Sequence, residues 1–463
     1  MSNTKEIRWK IFIVTIIGNF IAMLDSTTVN LALYPMSKAL NVTLTQVQWV
    51  MLAYMLTLTV FLPFFGKLGD ILPKNKLYSC GFAIFAIGGL CSYLSPNFGL
   101  LILSRAFEAI GASIMLSNAQ AIIATIFKNA NRGKALGLNG CIIALGAMLG
   151  PAIGGLLINT FGWQSVFVPC IPIATAGAYY AWKILPSYYI KNKKFRFDYK
   201  GFIFFTISLL ALLVAISQGY HWGWGSIRII ILGIASLIFG AMFYVRDKRI
   251  RHPLIDFSIF RIKAFTYGNL AVLTSYIAMF TNNVLVPFYL MEILEFNALK
   301  AGLLILPYSV TLIFTAPISG FMAGKYGSRY LTFIGPCVFM TSLMIISTFN
   351  TNTPLWEIIF ASAILGIGNG LFQSPSNNAI MTSVQKKDLG IASGILALSR
   401  NMGHILGIAI TITIFEESKK IFLETQQYTQ AFLNAYQLTL LFGVFFSIIC
   451  LLSAYTAYKP KRT

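Results

Sequence analysis

A carboxylate lies inside the first long apolar stretch of the chain. Between Ile11 and Pro35 the only charged residue is Asp25, in Leu24-Asp25-Ser26-Thr27-Thr28-Val29-Asn30. About 20 apolar residues span a bilayer, and a charge near its centre costs roughly 3 kcal/mol or more. Asp25 must therefore meet a partner, face water or carry a proton, and this suits transport of a proton or cation. Arg105 and Glu108 sit in a later apolar stretch, in Ser104-Arg105-Ala106-Phe107-Glu108. At i and i+3 they share one helix face, so Arg105 can neutralise Glu108 or tune another carboxyl nearby.

Other polar groups in apolar stretches are candidates to line a substrate path: Asn30, Asn282, Gln373, Asn377 and His404. Asn118, Gln120, Asn283, Asn378 and Arg400 also lie in such stretches. Amides there often serve as glue between helices, and a lone histidine packs as readily as it binds.

These groups need helices to hold them. The 463 residues are 57% hydrophobic and 11% charged, against about 25% charged in soluble domains. Apolar runs too long for barrel strands recur throughout, so the chain is an all-α polytopic membrane protein. They predict fourteen helices near 11–34, 46–66, 77–95, 99–127, 135–159, 163–185, 201–218, 227–245, 265–288, 300–323, 329–348, 355–383, 391–415 and 436–457. The first is too long for a signal peptide and is read as retained. Glu416–Gln437 mixes charged and apolar residues and is expected to form a surface helix or a hairpin, and Trp222 and Trp224 an interfacial belt.

Of the 35 Lys and Arg, 28 fall on one side of this topology when the N-terminus is inside. That asymmetry places both termini in the cytoplasm. The formal charge of +21 thus orients the protein against anionic lipid headgroups and implies no nucleic-acid partner. Six cysteines lie scattered without metal-ligand spacing, and read as small buried residues. No phosphate-binding Gly-x-x-x-x-Gly-Lys-[Ser/Thr] loop is present. An enzyme would show clustered His, Asp or Glu ligands and a channel a charged ring or filter; neither pattern is seen.

The two ends of the chain repeat each other. Gly66 and Gly320 are 254 residues apart, and Gly111, Gly133, Gly137, Gly146 and Gly150 each have a counterpart 257 residues on. Two six-helix halves result, residues 1–190 and 261–463, with an inserted helix pair in 191–260. Pseudo-symmetric halves are a transporter architecture with the substrate path between them.

Four motifs carry a resemblance covering essentially the whole chain: Gly66-Lys67-Leu68-Gly69-Asp70-Ile71-Leu72-Pro73-Lys74; Gly146-Ala147-Met148-Leu149-Gly150-Pro151-Ala152-Ile153-Gly154-Gly155; Arg105 with its neighbours; and the segment around Asp25. The chain resembles the major facilitator superfamily, and within it the fourteen-helix drug:proton antiporter group. The resemblance implies a proton-coupled antiporter exporting amphipathic or cationic drugs by alternating access, or alternatively a dedicated exporter of an endogenous metabolite or lipid on the same scaffold. It implies a cell-membrane protein acting as a monomer, driven by the proton gradient without a cofactor, whose partners are a small molecule, protons and lipid; richness in Ile, Lys and Asn suggests a bacterial source. Asp25, Glu108 and Arg105 would couple proton or cation. Gly66, Asp70 and Lys74 would form a gating loop, with Asp70 capping a helix or pairing across the halves. Gly146, Gly150, Pro151, Gly154 and Gly155 would form the antiporter motif, in which small residues permit close helix approach and proline kinks the helix. In the family this loop latches the outward-facing state; Pro73 and Asn75 stand where the family usually has glycine and arginine, which weakens the expected latch.

Overall fold

The computed structural model describes residues 2–127, 130–185, 198–250, 257–384 and 389–457. They form fourteen long helices and no strand. The helices are α1 (Ser2–Ala39), α2 (Trp49–Ile71), α3 (Lys74–Tyr93), α4 (Phe98–Ile126), α5 (Ala130–Phe161), α6 (Cys170–Ile184), α7 (Tyr199–Trp222), α8 (Ile227–Asp247), α9 (Lys263–Phe288), α10 (Ala298–Tyr326), α11 (Arg329–Ser347), α12 (Leu355–Thr382), α13 (Leu389–Leu423) and α14 (Tyr428–Ala457). Eleven contain a segment long and apolar enough to cross a bilayer, and α5 has a shorter one, Leu145–Phe161. The polar breaks act as caps: Asn97 accepts from the Leu100 amide, Asp198 from Gly201 and Ser226 from Ile229, each satisfying an otherwise orphaned donor.

Three boundaries differ from expectation. Helix α1 begins at Ser2, and Trp9 and Phe12 pack edge-on against Phe127 beyond the end of α4. Residues 66–70 lie in the last turns of α2, and the turn proper is Leu72-Pro73. The segment 416–437 forms no separate surface helix but the turn of a helical hairpin, with α13 running on to Leu423 and α14 starting at Tyr428.

Two compact units result. The first comprises Met1–Phe197 with Asn297–Leu303; the second comprises Asp198–Phe296 with Leu304–Thr463, and so includes α7 and α8. Within the first, α1 packs on α5 and α6, α2 on α4, and α3 on α4 and α6. Within the second, α9 packs on α13 and α14, α11 on α12 and α14, and α7 on α8 and α13.

The repeat is visible as packing. A Cβ on Gly81 of α3 would lie 3.2 Å from the Gly111 carbonyl of α4; one on Gly335 of α11 would lie 2.9 Å from the Gly368 carbonyl of α12. On Gly146 of α5 it would meet the Phe20 carbonyl of α1 at 2.8 Å, and on Gly403 of α13 the Leu273 carbonyl of α9 at 2.7 Å. Glycines at equal offsets thus make the same close helix approaches in both units. Gly133, Gly137 and Gly390 carry no described surroundings.

Candidate functional site

Asp25 on α1 and Arg105 and Glu108 on α4 meet inside the first unit. Arg105 Nη1 donates to Asp25 Oδ2 at 2.9 Å and to Glu108 Oε2 at 2.7 Å, and the three side chains are 0%, 1% and 1% exposed. Two carboxylates therefore share one guanidinium nitrogen. The ring centroid of Tyr54 of α2 lies 4.3 Å from the Arg105 Cζ, and that of Phe167 lies 5.5 Å from it. Such stacking is favourable for a desolvated arginine. Ser92 Oγ of α3 lies 3.5 Å from the same Glu108 oxygen. Asp25 Oδ1, Arg105 Nε and the Tyr54 hydroxyl are buried with no hydrogen-bond partner.

The charge count sets the chemistry. With all three groups ionised, the cluster holds one positive and two negative charges in a buried site. One proton neutralises it. The Asp25–Arg105 contact is the charged link between α1 and α4.

The neighbouring helices fix Asp25 through small residues. Gly18, Ala22, Asp25 and Val29 lie on a buried stripe of α1, and a Cβ on Gly18 would strike Tyr78 Oη and Met115 Sδ. That stripe is a packing interface, and Asp25 is sealed in the bundle with its partner Arg105 on α4. The other side of α1 rests on α5. Cβ atoms on Gly146, Gly150 and Gly154 would collide with Phe20, Thr27 and Thr28, and Thr27 and Thr28 lie within 3.5 and 3.4 Å of the Gly146 and Gly150 carbonyls. The glycine motif thus grips the turns of α1 that carry Asp25. Its remaining members face the start of α10: a Cβ on Gly155 would lie 2.6 Å from the Ala298 carbonyl, and one on Gly302 would lie 2.2 Å from the Pro151 carbonyl.

The gating residues take a different form from the expected loop. Gly69 leaves no room for a Cβ, which would lie 1.6 Å from Asn118 Oδ1. Asn118 also donates to the Phe65 carbonyl at 3.1 Å. Gly66 is less crowded, with Ser117 Cβ at 3.8 Å. These glycines serve the α2–α4 contact rather than a turn. Pro73 occupies the N-cap position of α3, without a side-chain bond of its own. The Asp70 and Gln120 side chains lie outside the described residues, and Lys74 stands in the first turn of α3.

The weaker candidates divide. Gln373 of α12 bonds to the Tyr276 hydroxyl of α9. His404 of α13 packs against the rings of Tyr276 and Phe280, with centroids 4.6 and 4.2 Å apart. Asn377 is two turns beyond Asn369, which donates to the Tyr308 hydroxyl at 2.8 Å. Asn282 is 7% exposed with its Oδ1 unpartnered. Asn30, five residues from Asp25 on α1, lies on another face. Asn378 is exposed, as are Trp222 and Trp224. Two cysteines, Cys170 and Cys450, are buried, but Cys80 and Cys91 are exposed. No group of residues suited to a metal occurs among the described residues.

Sequence reading missed Tyr54, which looked like any aromatic in an apolar run. It also missed Asn19, whose side chain donates to Asn139 at 2.7 Å across α1 and α5, and Tyr276, which gathers Gln373 and His404. Only spatial proximity marks these three.

Comparison with known proteins agrees with this architecture. The model of the Major Facilitator Superfamily matches residues 15–408 and 268–463. The riboflavin transporter RibZ of Clostridioides difficile is 31% identical over 428 residues, 92% of each chain. The lincomycin resistance protein LmrB of Listeria monocytogenes is 26% identical over 452 residues, 96% of each chain. The multidrug resistance protein Stp of Mycobacterium tuberculosis is 26% identical over 403 residues, 86% of this chain and 74% of its own. Among solved structures, the inward-facing bacterial homologue of the human lysosomal transporter Spinster superposes with a TM-score of 0.72 at 15% identity over 98% of each chain, and shares the fold. The fold and the relatives are those of transporters. Fourteen helices, repeated glycine crossings and these matches make the chain a member of the Major Facilitator Superfamily.

Proposed function

We propose that the protein is a proton-coupled antiporter that exports amphipathic small molecules across a bacterial cell membrane by alternating access. Asp25 is its leading proton-binding group, Glu108 the second, and Arg105 the cation that both compete for. The observation carrying this reading is the shared guanidinium nitrogen: two buried carboxylates on one cation are one proton from neutrality. A cationic ligand could supply the missing charge in place of a proton, which makes competition between the two the simplest coupling. The names of Stp and LmrB support drugs as cargo. The protein needs no cofactor, works as a monomer and keeps both termini in the cytoplasm. The gradient itself suffices, since each charge crossing the membrane is worth about 2.3 kcal/mol per 100 mV.

A second reading, export of a dedicated metabolite on the same scaffold, is favoured by the similarity to a riboflavin transporter. Proteoliposomes holding the purified protein separate the two. A pH gradient should drive uptake or efflux of several unrelated amphipathic dyes under the first reading, and of one compound class under the second. No transport driven by any pH gradient would refute proton coupling.

A further inference from the structure

The second unit carries an intramembrane cation of its own, and its surroundings differ from those of Arg105. Arg400 lies in α13, one turn before His404. No described carboxylate lies within ion-pair distance of it. In α9 to α14 acids occur only near helix ends, as Glu357, Glu416 and Glu417. Arg400 is nonetheless turned toward protein. Leu396 and Ile408, on the same stripe one turn beyond Arg400 and His404 on either side, are 4% and 0% exposed, so the partial exposure kept by Arg400 and His404 is on a protein-facing side.

The repeat shows that this arrangement is not inherited from the shared scaffold. At the offset of 257, Arg400 and His404 correspond to Ile143 and Ala147, and Gln373 to Leu116. At the α1–α9 offset of 253, Tyr276 corresponds to Met23. Conversely Asp25, Arg105 and Glu108 correspond to Ala278, Ser362 and Leu365. Each unit has placed its polar groups where the other has apolar or small ones. The first unit neutralises its arginine internally; in the second, no carboxylate among the described residues does so.

An intramembrane charge is costly and usually meets a counter-charge or water. The groups gathered around His404, one turn on from Arg400, are flat and polar or aromatic: the rings of Tyr276 and Phe280 flank His404, the Gln373 amide is held by Tyr276, and the Asn377 oxygen one turn beyond Gln373 is buried without a partner. Aromatic faces accept planar rings, amides read their edges, and a guanidinium fork matches a carboxylate.

We propose that Arg400, with Tyr276, Phe280, His404, Gln373 and Asn377, forms a recognition subsite in the second unit for a planar aromatic compound bearing a carboxylate or similar anionic group. This rests on the transport reading above only for the ligand's fate; the subsite binds whether or not protons drive export. It gives the two units opposite preferences, a proton or cation at Asp25 and an acidic ring at Arg400.

The test is equilibrium binding to the purified full chain in detergent, read as fluorescence anisotropy of two dyes sharing one tricyclic ring: anionic fluorescein and cationic rhodamine 6G. Fluorescein should bind the more tightly. Arg400→Gln should weaken fluorescein at least about tenfold, corresponding to about 1.4 kcal/mol, leave rhodamine 6G within twofold, and be partly rescued in Arg400→Lys. Equal loss of both dyes, or unchanged fluorescein binding in Arg400→Gln, would overturn the proposal. So would tighter binding of rhodamine 6G by the wild-type protein, a measurement that needs no variant to fold. Failure of pH-driven transport alongside Arg400-dependent binding would refute the coupling and leave the subsite standing.

Discussion

Gly150 of α5 lies so close to Thr27 of α1 that a Cβ on the glycine would sit 1.9 Å from the threonine Oγ1, and 3.2 Å from its backbone carbonyl carbon. Because backbone is close behind the hydroxyl, rotation of Thr27 cannot relieve the clash. Helix α1 must move, and it carries Asp25 two residues before Thr27.

Gly150→Ala is therefore expected to destabilise the protein by about 1–3 kcal/mol, as overpacking does, and to reduce transport. Gly233→Ala is the control: nothing lies within 4 Å of a Cβ there, so its effect should stay within about 0.5 kcal/mol. Thermal unfolding in detergent with dye transport in proteoliposomes compares the pair. Equal behaviour of the two variants would mean that the α1–α5 contact is not tight.

Asp25→Asn keeps the shape of the side chain and removes its charge. The triad is then fixed in its neutral condition, with Arg105 facing Glu108 alone. Transport driven by a pH gradient should be lost, while exchange of labelled for unlabelled substrate, which needs no net proton movement, should persist. Counterflow and gradient-driven transport measured in the same proteoliposomes check this. Gradient-driven transport at the wild-type rate would remove Asp25 from the coupling machinery.

Arg105→Gln leaves two buried carboxylates with no cation. Breaking a buried ion pair on one side costs about 3–5 kcal/mol, so the variant should unfold well below the wild type. Adding Asp25→Asn removes one of the stranded charges and should recover part of that loss. A double-mutant cycle by thermal or denaturant unfolding measures the coupling. Additive losses would show that Arg105 and Asp25 do not stabilise each other.

The two halves of this problem were unequally legible in the sequence. Helix number followed from apolar length, because burial in lipid leaves few other solutions. Equal glycine spacing revealed the repeat because close helix approach admits little else at those positions. Arg105 and Glu108 could be paired by helix geometry alone. That Asp25 joins them is a contact across 80 residues, and no local pattern encodes it. The same is true of Tyr276, which collects Gln373 and His404 from two other helices. The reading of residues 66–70 as a loop failed because glycines suggest turns, while here Gly69 admits the side chain of Asn118.

Tyr54 separates ring from hydroxyl. Its ring lies 4.3 Å from the Arg105 cation, but its hydroxyl is buried with no partner, a condition that costs stability. Tyr54→Phe should therefore be neutral or slightly stabilising, with transport retained. Tyr54→Leu removes the π face and should cost about 2 kcal/mol from the lost cation–π contact, together with a void beside the triad. If Tyr54→Phe instead abolished gradient-driven transport while leaving the melting temperature unchanged, the hydroxyl would have to take part in moving the proton, and Tyr54 would belong with Asp25 and Glu108.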